Sequence, residues 1–122
     1  MGYVYVDVLI RGGKASRSVK MLVDTGATYM VVDEGLAREL GLIELPYSVG
    51  MTLADKRRIS ARLYVGEVEL KGRRGPTLVA AFDVPVPLLG LYALESLGLK
   101  PNPQSGEVEV IGPEGGYLLP VQ

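Results

Sequence analysis

Histidine, cysteine and tryptophan are all missing from the 122 residues, and asparagine occurs once, at Asn102. Without imidazole or thiol the chain cannot build a Ser-His-Asp or Cys-His catalytic group, a thiolate nucleophile, a disulfide, or a metal site on those ligands. Acid–base chemistry is left to carboxylates, with Lys and Tyr as outside candidates. Neither sign of charge is in excess: 13 Lys and Arg stand against 14 Asp and Glu, a formal net charge of −1. That balance lacks the basic footprint of a nucleic-acid binder. The two basic turns, Arg11-Gly12-Gly13-Lys14 and Gly72-Arg73-Arg74-Gly75, are too isolated to supply one. No apolar run approaches the roughly 18–20 residues that span a bilayer. The start, Met1-Gly2-Tyr3-Val4-Tyr5, lacks the basic and apolar regions of a signal peptide. The expectation is a cytoplasmic protein without membrane or nucleic-acid partners; an absence of Cys fits a reducing compartment.

What is present reads as one domain over residues 1–122, mainly β with two short helices. Residues 3–10 place Val4, Val6, Val8 and Ile10 on one face, the period of a half-buried strand. After the turn at Arg11–Lys14, residues 16–23 predict the returning strand. Residues 29–32 predict a short strand. Asp33 has the character of an N-cap and Gly41 of a C′ residue, enclosing a helix over 34–40. From about residue 48 to 82 the pattern is strand and turn, with turns at Asp55-Lys56 and at Gly72-Arg73-Arg74-Gly75. Pro85 and Pro87 flank Val86, which suits a sheet edge or the rim of a cleft. A second helix is predicted over 91–97, stopped by Gly98, and residues 107–111 and 117–121 read as a last hairpin. There is an internal echo: apolar residues with a nearby Gly, then a short helix closed by Leu40-Gly41-Leu42, recur before Leu97-Gly98-Leu99, 57 residues later.

Among the 14 acidic residues, most fit solvated strand faces, as at Glu67, Glu69, Glu107 and Glu109. Asp33 fits a cap and Asp55 a turn. Asp24 is different. It follows the apolar strand end Met21-Leu22-Val23 and precedes Thr25-Gly26-Ala27-Thr28, so it sits where a strand leaves the sheet. An Asp-Thr-Gly triplet arises by chance in about one chain of this length in fifty. The local alternative is an Asx turn, in which the Asp side chain bonds its own backbone two residues on.

The segment Leu22-Val23-Asp24-Thr25-Gly26-Ala27-Thr28 resembles the active-site motif of aspartic proteases. A single such motif in a short chain is similar to the retropepsin type, which includes retroviral proteases and cellular Ddi1-like domains. Val84-Pro85-Val86-Pro87-Leu88-Leu89-Gly90, followed by a helix, resembles the second-half motif of that family. The resemblance implies a small closed acid-protease β-barrel and an aspartic endopeptidase with no metal or cofactor. It implies Asp24 as the catalytic carboxylate. Two carboxyls side by side cannot both ionise and must share a proton. With one motif per chain the second Asp24 must come from a second copy, so a homodimer acting on polypeptides is implied. Thr25 would bond across the dimer axis, and Gly26 would allow close approach and place an N–H at the carboxylate. Ala27, Thr28, Val86 and Leu88 would line substrate pockets. Leu53 and Ala54 would contact substrate from a flap over residues 49–59.

That flap carries Gly50 but no glycine at its tip, unlike the family pattern. Thr28 and Leu91 stand where retroviral members place an ion-paired acid and Arg. This points to the cellular or prokaryotic branch, with residues 3–10 and 117–121 as candidate dimer strands. The alternative is a retropepsin-fold module that binds peptides without cutting them.

Overall fold

A computed structural model describes residues 3–52 and 55–112. The chain opens with β1 (Tyr5–Arg11) and β2 (Ser16–Val23), an antiparallel hairpin running from Tyr5 opposite Leu22 to Arg11 opposite Ser16. Its inward face is the predicted one: Val4, Val8 and Ile10 are buried, with Val6 half-buried. Then come β3 (Met30–Val32), α1 (Glu34–Leu40), β4 (Ile43–Thr52), β5 (Arg58–Leu70) and β6 (Arg73–Ala81). The chain continues with β7 (Leu88–Leu89), α2 (Leu91–Leu97), β8 (Leu99–Asn102) and β9 (Glu107–Val110). Among the described residues no helix is long and apolar enough to cross a membrane.

Seven strands form one sheet in the order β1-β2-β7-β3-β6-β5-β4, and a further β1–β5 pairing brings Leu9–Arg11 against Glu67–Glu69. Six strands therefore close a circuit of pairings, and the β4 end extends from it. Arg11 donates to Glu69 at 2.7 Å across this closure, which holds its guanidinium above its ordinary range. Glu67 and Glu69 are thus half-buried partners of Arg11 and Arg74, where the sequence suggested plain solvated positions.

Alternate residues of β3 feed two apolar clusters on opposite faces. Met30 and Val32 join Val8, Ile10, Met21, Leu40, Tyr64, Leu89, Leu94 and Leu97 in the larger one. Val31 joins Ala61, Leu63 and Ala80 in the smaller, flanked by Tyr29, Val49, Met51, Phe82 and Leu88. Each fully buried aliphatic side chain there contributes about 1.5–3 kcal/mol.

The two helices run over the predicted spans and end alike. Gly41 (φ 72) donates to the Arg38 carbonyl and Gly98 (φ 68) to that of Glu95, in the left-handed conformation that glycine adopts without strain. At α1 the Leu42 amide also reaches the Ala37 carbonyl, completing a Schellman pair. Asp33 holds the N-cap position but makes no capping bond. Its Oδ1 accepts from the Val84 amide at 3.2 Å, joining the start of α1 to the loop after β6.

Several expectations shift. The third strand begins at Met30, leaving Tyr29 in the loop. The strand region begins at Ile43 rather than 48. The β5–β6 turn is Lys71-Gly72, with positive φ at both residues (56 and 72), as a two-residue turn matched to strand twist requires. Arg73 consequently lies inside the ladder opposite Leu70. It is buried and donates to the carbonyls of Leu97 and Gly112, each at 3.0 Å. Of the two arginines in that run only Arg74 is exposed. Strand β9 pairs with β8, Leu99 opposite Val110, a strand the sequence reading did not anticipate. Residues 117–121, expected to pair with it, lie outside the described residues. Strand β1 is engaged by β2 along its length and by β5 at Leu9–Arg11, so among the described residues only its first half keeps an open edge.

Candidate active site

Asp24 stands at the end of β2, where two motifs distant in sequence meet. Strands β2 and β7 run parallel, Leu22 opposite Leu88 and Val23 opposite Leu89. The Leu22 amide donates to the Pro87 carbonyl at 2.9 Å and the Asp24 amide to the Leu89 carbonyl at 3.0 Å. The chain then turns away from the sheet, with the Ala27 amide returning to the Asp24 carbonyl at 3.1 Å. Inside that turn the Gly26 amide donates to Asp24 Oδ1 at 2.9 Å. This is the Asx bond that competed with a catalytic reading at the sequence level. It holds one carboxylate oxygen, and Oδ2 has no hydrogen bond among the described residues. Asp24 is half-buried, while Thr25 and Gly26 are exposed.

The opening turn of α2 seats on the far side of the loop. Its Leu91 amide donates to the Ala27 carbonyl at 2.8 Å and its Tyr92 amide to the Thr28 carbonyl at 3.1 Å. First-turn helix amides have no partner within their own helix, so the loop supplies their acceptors. The contact is close enough to demand glycine at position 90. A Cβ there would lie 2.4 Å from the Tyr29 oxygen and 2.6 Å from that of Ala27.

Above the loop lies a cleft of about 530 Å³. Asp24, Gly26, Ala27, Thr28 and Tyr29 line it from the loop, Val49, Gly50, Met51 and Thr52 from β4, and Phe82 and Leu88 from the opposite wall. The structure thus gathers Asp24, Gly26, Ala27, Thr28 and Leu88. Thr25 is exposed beside the cleft without lining it, and Val86 is half-buried outside it. Leu53 and Ala54 lie outside the described residues. Strands β4 and β5 pair up to Thr52 opposite Arg58, so the expected flap is a hairpin whose inner strand walls the cleft. Sequence reasoning missed Tyr29 and Phe82. Tyr29 was read as strand, and the signal for Phe82 was its being the lone Phe, next to a charged residue where an apolar strand ends. Among the described residues no group of acidic side chains is arranged to hold a metal ion.

Residues 7–96 match the family described as "gag-polyprotein putative aspartyl protease". Among solved structures, the EIAV protease in complex with the inhibitor HBY-793 matches with a TM-score of 0.60 and 26% identity, over 81% of this chain and 91% of that one. No curated protein matches the chain significantly.

Proposed function

This chain belongs to the retroviral-type aspartyl protease family, and from that membership we propose that it is an aspartic endopeptidase working as a homodimer through one Asp24 from each copy. The observation that carries the proposal is the state of Asp24. Its carboxylate is oriented by the Gly26 amide, opens on the cleft of about 530 Å³, and is bordered by the exposed pair Thr25-Gly26. A single carboxylate cannot serve as base and acid at once, so the exposed side of the loop must meet the same loop of a second copy.

In that arrangement the two carboxyls share one proton. The ionised one takes a proton from water as the water oxygen bonds to the peptide carbonyl carbon. The protonated one gives its proton to the carbonyl oxygen. The tetrahedral adduct collapses with cleavage of the C–N bond: the nitrogen leaves with the proton the first carboxyl took from water, and one adduct hydroxyl returns its proton to the second carboxylate. No cofactor enters. Thr25 is assigned to a bond with the facing loop across the axis, and Gly26 to holding the carboxylate. Ala27, Thr28, Leu88 and Val86 are assigned to side-chain pockets, and Leu53 and Ala54 to the flap. The cysteine-free, nearly neutral chain suits work in the reducing cytoplasm.

The test is Asp24→Asn with an unfolded protein substrate at mildly acid pH. Cleavage should vanish while sedimentation still reports the dimer. Cleavage that persists, or a wild-type protein that binds peptides without cutting them, overturns the proposal; the latter result identifies a binding module.

A further inference from the structure

Beyond the Phe82 end of the cleft lies a second, larger hollow of about 790 Å³, on the other side of β4 from Asp24. It opens where the β4–β5 register shifts between Glu44 and Ser48. That irregularity leaves Tyr47 64% exposed in the hollow wall, an aromatic side chain that the core does not account for. Phe82 lines both spaces. Three carboxylates line it, Asp33 and Glu34 at the start of α1 and Asp83 just after β6. The guanidinium in its wall, Arg62, is engaged by Glu44 at 2.6 Å. Asp33 Oδ1 takes the Val84 amide, and Glu34 lies 3.6 Å from Arg38. Asp83 is exposed and has no hydrogen bond or ion pair among the described residues.

We infer that this hollow is a remote specificity site that receives a Lys or Arg side chain of the polypeptide whose backbone occupies the Asp24 cleft. The occupant follows from three features. The lining carries a surplus of negative charge. The carboxylates are too dispersed to form a metal group, which suits the long, flexible stem of a basic side chain and not a bare ion. Tyr47, exposed in the same lining, adds an aromatic ring to the carboxylates, the combination that recognises ammonium and guanidinium groups. The shared Phe82 wall sets the two spaces side by side. This inference rests on the proteolytic reading for its occupant but not for its charge preference.

The experiment uses Asp24→Asn protein, which binds without cutting, and two fluorescein-labelled peptides of alternating Ala and Lys, one with free and one with acetylated lysines. The free-lysine peptide should bind more tightly, and raising salt from 0.05 to 0.5 M should erase the difference. Asp83→Asn and Tyr47→Ala should each weaken the free-lysine peptide about threefold to fivefold, as exposed ion pairs and cation–π contacts do, and leave the acetylated one unchanged. Equal binding of the two peptides, or indifference to both substitutions, overturns the inference. A second arm maps the bonds that the wild-type enzyme cuts in a denatured protein. A cleavage pattern without basic residues at a constant offset removes the remote site and leaves proteolysis standing. Charge-selective binding without any cleavage removes proteolysis and leaves the site standing.

Discussion

The Asp24 amide donates to the carbonyl of Leu89 at 3.0 Å, and through that bond the Asp-Thr-Gly turn is anchored to a segment 65 positions further along the chain. The parallel pairing of β2 with β7 aims the turn. The carbonyls of Ala27 and Thr28, bonded to Leu91 and Tyr92, keep it from swinging. A carboxylate held in this way is preorganised, since its position does not depend on substrate.

Gly90→Ala tests that clamp. The new methyl group would meet backbone oxygens that cannot rotate away, so the loop or α2 must shift. Urea unfolding should show a loss of about 1–3 kcal/mol, the range for overpacking. Gly35→Ala is the control. Nothing lies within 4 Å of its added Cβ in α1, and it should gain roughly 0.5–1 kcal/mol from helix propensity.

Asp24→Asn and Asp24→Ala should separate in stability while both abolish cleavage. Asn keeps an oxygen for the Gly26 amide and should unfold at the wild-type midpoint. Ala loses that acceptor and should cost about 0.5–1.5 kcal/mol. Equal midpoints for all three proteins would show that the Asx bond contributes nothing to the turn.

Arg73→Met removes a buried guanidinium from the carbonyls of Leu97 and Gly112. Chemical denaturation should report a loss of about 3 kcal/mol, since bonds to a charged group are the strong ones and their partners are left buried. Hydrogen exchange should quicken first at the end of α2. Arg73→Lys should restore only part of the loss, because one ammonium cannot reproduce the two-armed fork.

Mixing tests directly whether the site is shared between two copies. Adding Asp24→Asn chains to wild type should quench activity through pairs that hold a single ionisable Asp24. With roughly ten mutant chains per wild-type chain and free exchange, about a tenfold loss follows from mass action. Activity unaffected by the mutant chain would mean that each chain cuts alone.

The local elements were legible because their signals act over three or four residues. Gly41 and Gly98 stop the two helices by backbone chemistry that needs no distant partner, and the Val4–Ile10 alternation marks its own buried face. The Lys71-Gly72 turn was misplaced by two residues, because the run of Gly and Arg after Leu70 offered more than one centre. Asp33 was correctly put before α1, yet its side chain is spent on Val84, 51 residues away, which no local rule contains.

The sequence alone narrowed the chemistry: with no His or Cys, acid–base work is left to carboxylates with Lys and Tyr as outside candidates, and one Asp is set between an apolar strand end and Thr-Gly. It also determined where the chain turns and which faces are apolar, since those follow from backbone sterics and periodicity. Tertiary structure decided what surrounds Asp24. Leu89 behind it, Met51 above it, Phe82 at its far wall and the hollow beyond reach the site through strand pairings between segments tens of residues apart. Such pairings are chosen by the burial of whole sheet faces at once, a collective free energy that no single residue or local motif carries.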